Sequence, residues 1–154
     1  MKYTRIRVQR ETFHVGEEYQ WLSQCDEDGA VVTFTGKVRN HNLGDHVKAL
    51  TLEHYAGMTE KILQQIVDEA HERWPLQRVS VIHRIGELYP GDEIVFVGAT
   101  SSHRDMAFMA TEFIMDYLKT QAPFWKKESL AEGERWVEAR PGDRDAANRW
   151  KRNR

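Results

Sequence analysis

Residues 94–105, with the sequence IVFVGATSSHRD, carry the strongest indication of the fold. Residues 94–99 are almost purely apolar, which predicts a strand in the centre of a sheet. A helix is predicted to begin directly after the strand, because Ser102 and Asp105 have the spacing of a capping box. Its buried face would consist of Met106, Ala110, Phe113, Ile114, Tyr117 and Leu118. The residue before Pro123 disfavours helical backbone, so this helix is predicted to stop there.

The segments before this unit alternate between predicted strands and helices. A β-branched run predicts a strand, and an apolar side chain at every fourth position from Met58 to Trp74 predicts a helix that Pro75 ends. The predicted elements are, in order, a strand over 4–9, a short helix ending near Leu22, a strand over 30–38, a loop over 39–45, a strand over about 47–55, the helix over 58–74 and a strand over 78–85.

After Pro123 the pattern changes to two short strands, about 124–129 and 135–140, joined by a turn at Gly133. No linker, internal repeat or low-complexity segment divides the chain. The elements therefore predict one domain of the α+β class.

The composition is that of a globular protein with its own core. The chain has 154 residues, 40% of them hydrophobic, and a net charge of -2. This small negative charge argues against a protein that coats nucleic acid, because such binding relies on many lysines and arginines that displace counterions from phosphates.

The single cysteine, Cys25, cannot form an intrachain disulfide, which favours a reducing compartment. No apolar run follows the basic N-terminus, and no stretch approaches the roughly 20 apolar residues of a membrane span. A cytoplasmic protein without membrane association is therefore expected.

The most basic run lies at residues 149–154, and we expect it to be a solvated, frayed terminus. The alternative is that this run binds RNA, with Trp150 as a stacking platform for bases.

His103 and Arg104 follow the predicted central strand, at the start of a helix. Free backbone N–H groups and the helix dipole favour an anion at such a position, so the pair could seat a phosphate. The alternative is a surface histidine and arginine in a first helical turn. In that case their positive charges would oppose the dipole.

Two further cations, Lys37 and Arg39, stand at the end of an apolar strand and lead into a loop. Side chains in such places commonly serve binding, and an arginine can hold a phosphate through two N–H groups at once. Taken alone, each is equally compatible with a solvated surface charge.

A third group of charged residues surrounds the Pro123 break. Lys119 falls in the last turn of the long helix, where a cation suits the dipole, so it could be purely structural. Strand alternation places Lys126 and Glu128 on one face and Lys127 on the other. An amine and a carboxylate that share a site can act as general acid and base, although an exposed ion pair is the simpler interpretation.

Several other site types have no support in the sequence. The spacing of His41, His46 and His54 is not that of a zinc site, so no metal site is predicted. Glycine-rich phosphate loops and a nucleophile-elbow sequence are also missing, which argues against nucleotide triphosphates, dinucleotides and serine hydrolysis.

Beyond these patterns, the chain resembles the large subunits of molybdopterin synthases from about residue 4 to residue 150. The stretches that carry the resemblance are 29–42 (GAVVTFTGKVRNHN), 52–58 (LEHYAGM), 83–92 (HRIGELYPGD), 102–104 (SHR) and 117–128 (YLKTQAPFWKKE). Together these motifs are highly specific to that family.

The resemblance implies an α/β hammerhead fold with a smaller antiparallel β subdomain, in a domain of residues 1–150 followed by a basic tail of residues 151–154. It also implies an enzyme, a sulfurtransferase of molybdenum cofactor synthesis that needs no cofactor of its own. Sulfur would pass from the thiocarboxylated C-terminus of a small ubiquitin-like subunit to cyclic pyranopterin monophosphate, forming the dithiolene of molybdopterin. Two copies of this chain would form the centre of a heterotetramer.

The resemblance also implies roles for individual residues. Lys119 and Lys126 would be the catalytic lysines, and would also contact the substrate. The other substrate-binding residues would be Lys37, Val38, Arg39, His103, Arg104, Lys127 and Glu128. The alternative function is a non-catalytic interaction subunit whose cations dock an acidic protein tail.

Overall fold

The computed structural model describes residues 3–137 and 141–153 of the chain. The strands are β1 Tyr3–Gln9, β2 Ala30–Lys37, β3 His41–Asn42, β4 Asp45–His54, β5 Leu76–Arg84, β6 Gly86–Leu88, β7 Glu93–Ser101, β8 Phe124–Leu130 and β9 Gly133–Val137. The helices are α1 Val15–Leu22, α2 Met58–Arg73, α3 Arg104–Gln121 and α4 Pro141–Asn148, followed by a 3-10 helix over Arg149–Asn153. Among the described residues, the helices lack the length and apolar character needed to cross a membrane.

The first sheet has the strand order β1-β5-β7-β2. β1 runs parallel to β5, whereas β7 is antiparallel to both of its neighbours. Strand alternation gives this sheet two buried faces: Val97 and Ala99 join the core cluster that contains α2 and α3 residues, and Phe96 packs with Leu22 of α1. The predicted central position of residues 94–99 is confirmed.

The second sheet is antiparallel, with the order β3-β4-β8-β9 and with β6 also paired to β4. Leu50 shows how these strands meet, because it lies opposite Leu88 of β6 on one side and opposite Glu128 of β8 on the other. The first sheet with its helices and this added sheet form a single α+β domain, as predicted.

Some boundaries differ from the sequence prediction. The capping box is wrong: the N-cap of α3 is His103, without a side-chain hydrogen bond, and Ser102 lies before it. Short strands β3 and β6 and helix α4 were not predicted. The strand expected over 135–140 is β9, which begins earlier, and residues 138–140 lie outside the described residues.

The expectation of a solvated terminus is wrong for the beginning of the basic run. Trp150 is only 6% exposed and packs edge-on against Trp74 and Phe113, with ring centroids 5.5 Å apart in both pairs. Its indole N–H donates to Asp116 Oδ2 at 2.8 Å. Trp150 is therefore not available to stack on bases. The division of the chain at residue 150 stays a prediction, and Arg154 lies outside the described residues.

Candidate active site

A cavity of about 680 Å³ opens between the end of β2, the C-terminal end of α3 and the second sheet. We call it the lysine cavity. Six of the nine residues that the sequence suggested for the site line it: Lys37, Val38, Arg39, Lys119, Lys126 and Glu128.

The first three of these residues are held in place by the backbone of Val38. β2 has a bulge between Gly36 and Lys37, and the chain then turns along the cavity. The N–H of Val38 donates to the carbonyl of Asp92 at 2.9 Å, and its carbonyl accepts the N–H of Gly91 at 2.8 Å. Val38 is buried, whereas the side chains on either side of it are exposed. This anchoring presents Lys37 and Arg39 from a fixed stretch of backbone.

The two candidate catalytic lysines reach the cavity from both sides of the Pro123 break. α3 ends at Gln121, and β8 begins at Phe124, whose N–H donates to the carbonyl of Ala122 at 2.9 Å. The chain thus reverses within two residues and returns Lys126 alongside the end of the helix that carries Lys119. Both residues line the same cavity.

His83 lies in the cavity wall and was not among the predicted site residues. Its ring stacks on Phe124 with centroids 3.9 Å apart, and its Nδ1–H donates to the carbonyl of Arg84 at 2.8 Å. Burial is the main cause that lowers the pKa of His83 to about 3; the bond to the Arg84 carbonyl opposes this shift, and the charges of Lys126 and Lys119 contribute to it. His83 is therefore neutral near pH 7, and its Nε2 is a hydrogen-bond acceptor.

Glu128 is 6% exposed, and its carboxylate is occupied. Oε1 accepts one hydrogen bond from Arg135 Nε at 2.9 Å and another from Asn42 Nδ2 at 3.1 Å. Arg135 and Asn42 also line the cavity and were not predicted. The negative charge of Glu128 is thus compensated within the protein and leaves the cavity with an excess of positive charge.

His103 and Arg104 do not reach this cavity. They are exposed at the first turn of α3. Lys119 is fifteen residues further along the helix, which at 1.5 Å per residue amounts to about 22 Å. Within one chain, the proposed phosphate seat and the lysine cavity are separate places.

Lys127 is also outside the cavity, on the opposite face of β8. Its Nζ lies 3.6 Å from Glu134 Oε2 and 5.6 Å from the centroid of the Trp136 ring. This is the surface ion pair that strand alternation suggests.

The histidines near the cavity do not gather a metal-binding set. His41 and His46 pack edge to face at 5.2 Å, and His54 stacks on Phe124 at 6.3 Å. Across residues 3–137 and 141–153, no three His, Cys, Asp or Glu side chains are grouped closely enough to hold a metal ion.

The lysine cavity is suited to anionic ligands. It places two lysine ammonium groups, a further lysine and an arginine around a space with apolar walls that include Leu50, Ile94 and Met115. Cations in a partly desolvated site stabilise both a bound phosphate and a negative charge that develops during reaction.

Comparisons with known proteins identify the family of the chain. The family model described as MoaE protein matches residues 8–121. The molybdopterin synthase catalytic subunit of Yersinia pestis is 73% identical over 150 residues, which cover 97% of this chain and 99% of that protein.

Solved structures show the same fold. A molybdopterin biosynthesis MoaE protein from Burkholderia ambifaria superposes with a TM-score of 0.82 at 48% identity, over 96% of this chain and 98% of that one. A chain in the complex of subunits 1 and 2 of molybdopterin-converting factor from Helicobacter pylori has a TM-score of 0.72 at 17% identity, over 88% and 91% of the two chains.

Proposed function

Because this chain belongs to the MoaE family of molybdopterin synthase catalytic subunits, we propose that the lysine cavity is its sulfur-transfer site. The activity of the chain is that of a sulfurtransferase that forms the dithiolene of molybdopterin. We infer that the substrate is cyclic pyranopterin monophosphate. The observation that carries the assignment is that Lys119 and Lys126, from different elements, line one cavity together with Arg39.

In this proposal Lys37 and Arg39 hold the phosphate of the pterin near the C-terminal end of β2. Arg39 offers two N–H groups in a plane, which matches two phosphate oxygens. The phosphate does not react, but its binding energy orients the pterin relative to the sulfur donor. The two reacting groups are then held close together and need not meet by diffusion.

Lys119 and Lys126 face the thiocarboxylate. The thiocarboxylate sulfur first bonds to a pterin carbon and displaces an oxygen from it, and water then attacks the carbonyl carbon of the resulting thioester. The carbonyl oxygen becomes negative before the acyl carbon–sulfur bond breaks, which leaves the sulfur on the pterin and a carboxylate on the donor, and an ammonium group nearby stabilises that charge. The same lysines can deliver or accept a proton, or attack the carbonyl as an amine. Glu128 contributes less directly, because its Oε1 is already engaged by Arg135 and Asn42.

The sulfur donor is a separate small subunit. One structural neighbour of this chain is part of a two-subunit complex, which supports such a partner. We propose that the partner is ubiquitin-like and that its thiocarboxylated C-terminus enters the lysine cavity. The reducing cytoplasm is the proposed location, because it preserves both the thiocarboxylate and the free thiol of Cys25.

We further propose that two copies of the chain form a homodimer in the centre of a heterotetramer. The separation of about 22 Å along α3 is far beyond the reach of an arginine side chain. His103 and Arg104 can therefore contact the pterin only if they belong to a second copy. In a two-fold dimer each chain would give its α3 N-terminus to the cavity of the other, so that two equivalent sites form.

Reconstitution tests the proposed function. The purified chain is mixed with thiocarboxylated small subunit and cyclic pyranopterin monophosphate, and the dithiolene product is measured. Product should form, and small subunit with an ordinary carboxylate should give none. If the small subunit binds tightly but no dithiolene appears, the chain is the non-catalytic docking subunit of the alternative.

A further inference from the structure

A tight hairpin forms one rim of the lysine cavity. It consists of residues 41–46, in which His41 pairs with His46 and Asn42 with Asp45. The two turn residues, Leu43 and Gly44, have φ of 54° and 83°, the positive values of a type I′ turn. Leu43 is 80% exposed although it lines the cavity, so packing of its own side chain cannot hold the hairpin in place.

One guanidinium ties this hairpin to the second sheet. Arg135 of β9 donates from Nε to Glu128 Oε1 at 2.9 Å and from one terminal nitrogen to Asp45 Oδ2 at 2.8 Å. Its other terminal nitrogen donates to the backbone carbonyl of Asn42 at 2.8 Å. Asn42 closes the network through its Nδ2, which donates to Glu128 Oε1 at 3.1 Å. We call these four residues the Arg135 clasp.

The partners of Arg135 make this contact strong. The side chain of Glu128 is 7% exposed, and a buried carboxylate without a cation is costly. The hydrogen bonds that Arg135 donates to Glu128 and Asp45 raise the pKa of Arg135, which holds the guanidinium in its charged form. Loss of Arg135 would leave Glu128 with the Asn42 amide and would free the hairpin from β9.

The clasp affects the position of Arg39 through the short stretch of backbone that connects them. Val38 is anchored to the 89–92 turn on one side, and the clasp fixes Asn42 on the other. Between them, the carbonyl of Asn40 accepts the N–H of Val47 at 2.7 Å. Arg39 therefore lies between the anchored Val38 and the short segment that leads into the hairpin, and Arg135 holds the far end of that segment at Asn42.

We propose that Arg135 is a positioning residue: the Arg135 clasp holds the 41–46 hairpin and thereby sets Arg39 for the phosphate, with Glu128 as its anchor and not as an acid or base. This inference rests on the proposed function of the lysine cavity. It predicts that the clasp controls how tightly the pterin is held, while the lysines control how fast sulfur is transferred.

Steady-state kinetics with saturating thiocarboxylated small subunit test the proposal. Arg135→Gln should raise KM for cyclic pyranopterin monophosphate by about tenfold and leave kcat within about threefold of wild type. The lost interaction holds the substrate equally well in the ground state and in the transition state, so the rate of the bound complex is kept. Arg135→Lys should recover part of the loss, since an ammonium group can replace one contact but not the planar fork.

Glu128→Gln separates an anchor from an acid or base. The amide oxygen can still accept the Asn42 bond, so the anchor role predicts a kcat close to wild type and an increase in KM no larger than that of Arg135→Gln. The double variant should have about the KM of Arg135→Gln alone, because residues of one network are not additive. A collapse of kcat in Glu128→Gln with KM unchanged would overturn the proposal, as would an unchanged KM in Arg135→Gln.

Arg149→Gln is the matched control. It removes an arginine that also has two carboxylate partners, Glu112 and Asp116, but lies outside the lysine cavity, so KM should not change. Thermal unfolding shows which variants are folded. If Arg135→Gln does not fold, Arg135→Lys and Asn42→Ala are measured instead, and the proposal again requires that KM increases while kcat stays near wild type. Failure of the proposed function is recognisable separately, because the wild-type chain would then form no dithiolene.

Discussion

The two ends of α3 carry cations in opposite electrostatic settings. At the C-terminal end, Lys119 lies in the last turn, where the helix dipole stabilises a positive charge, and it lines the lysine cavity. At the N-terminal end, His103 and Arg104 are exposed, and the positive charge of Arg104 opposes the dipole. The first end is a site within one chain. An anion bound at the second end would remove its electrostatic conflict.

The largest effect is expected at the C-terminal end. Lys119→Ala and Lys126→Ala should each slow dithiolene formation by about a hundredfold or more, which is the usual cost of removing a group that stabilises a developing oxyanion. Binding of the small subunit should remain, as should the fold. Lys119→Arg should rescue poorly, because a guanidinium neither releases a proton near neutral pH nor acts as a nucleophile.

Lys127→Ala is the internal control for these variants. Its side chain pairs with Glu134 on the other face of β8, so turnover should stay within about threefold of wild type. Near-native turnover of Lys119→Ala with saturating thiocarboxylated partner would reduce Lys119 to a helix-end charge.

The second prediction tests whether the two ends meet between chains. Lys119→Ala and Arg104→Ala variants should each be weak alone, but after unfolding and refolding together they should regain activity. Random pairing makes half of the dimers mixed, and each mixed dimer has one site with both native residues, so about one quarter of wild-type activity is expected.

Two outcomes contradict this arrangement. If the mixture is no more active than its components while both variants are dimeric, Arg104 does not act on the cavity of the other copy. If Arg104→Ala alone is fully active, the N-terminal end of α3 has no part in the reaction. A mixture of Lys119→Ala and Lys126→Ala is the control, because both lysines line one cavity in the same chain and mixed dimers gain no complete site.

Much of the C-terminal end of α3 could be predicted from the sequence. The apolar face of the helix, the Pro123 break and the alternation of β8 are local patterns, and together they bring Lys119 and Lys126 to one cavity. The capping box at the other end failed for a tertiary reason. The β7 ladder continues through Ser101, which pairs with both Ala30 and Leu76, so the chain leaves the sheet too late for Ser102 to cap the helix.

The residues that were missed depend on contacts far apart in sequence. Arg135 contacts Asn42, which is 93 positions away in the sequence, and neither residue lies in a sequence pattern that predicts the contact. His83 did leave a signal. It lies on the same buried face of β5 as Val79 and Val81. A histidine at such a position must be neutral or paired with a negative charge. The separation of Arg104 from Lys119 follows from helix length alone and could have been predicted.

The third prediction uses this buried histidine at the cavity end. The pKa of His83 is 6.5 in the unfolded chain and about 3 in the fold. As the pH is lowered, the imidazole is therefore protonated in the unfolded state before it is protonated in the folded state. Its contribution to stability is complete above about pH 6.5 and is lost as the pH falls toward about 3. Between about pH 7.5 and pH 5.5 this amounts to about 1 kcal/mol of the free energy of unfolding.

Urea unfolding at the two pH values measures this loss. His83→Gln should lose about 1 kcal/mol less than wild type over the interval, whatever its stability at pH 7.5. His103→Gln, which removes an exposed imidazole at the other end of α3, should keep the wild-type loss. Equal losses in His83→Gln and wild type would show that His83 is charged in the fold.

The smallest effect is expected for the only thiol of the chain. Cys25 lies between α1 and β2, and four residues later the N–H of Gly29 donates to the carbonyl of Ser101 at 3.0 Å, next to the N-terminal end of α3. If that end were a second place for sulfur chemistry, Cys25 would be its obvious carrier. A reactive cysteine, however, needs a nearby cation or a helix N-terminus that favours the thiolate. Cys25 follows the C-terminal end of α1, not a helix N-terminus, and it does not line the lysine cavity. Cys25→Ser should therefore retain turnover within about twofold when thiocarboxylated small subunit supplies the sulfur. Loss of transfer in a folded Cys25→Ser variant would move part of the sulfur path to the N-terminal end of α3 and would end its description as a place for binding alone.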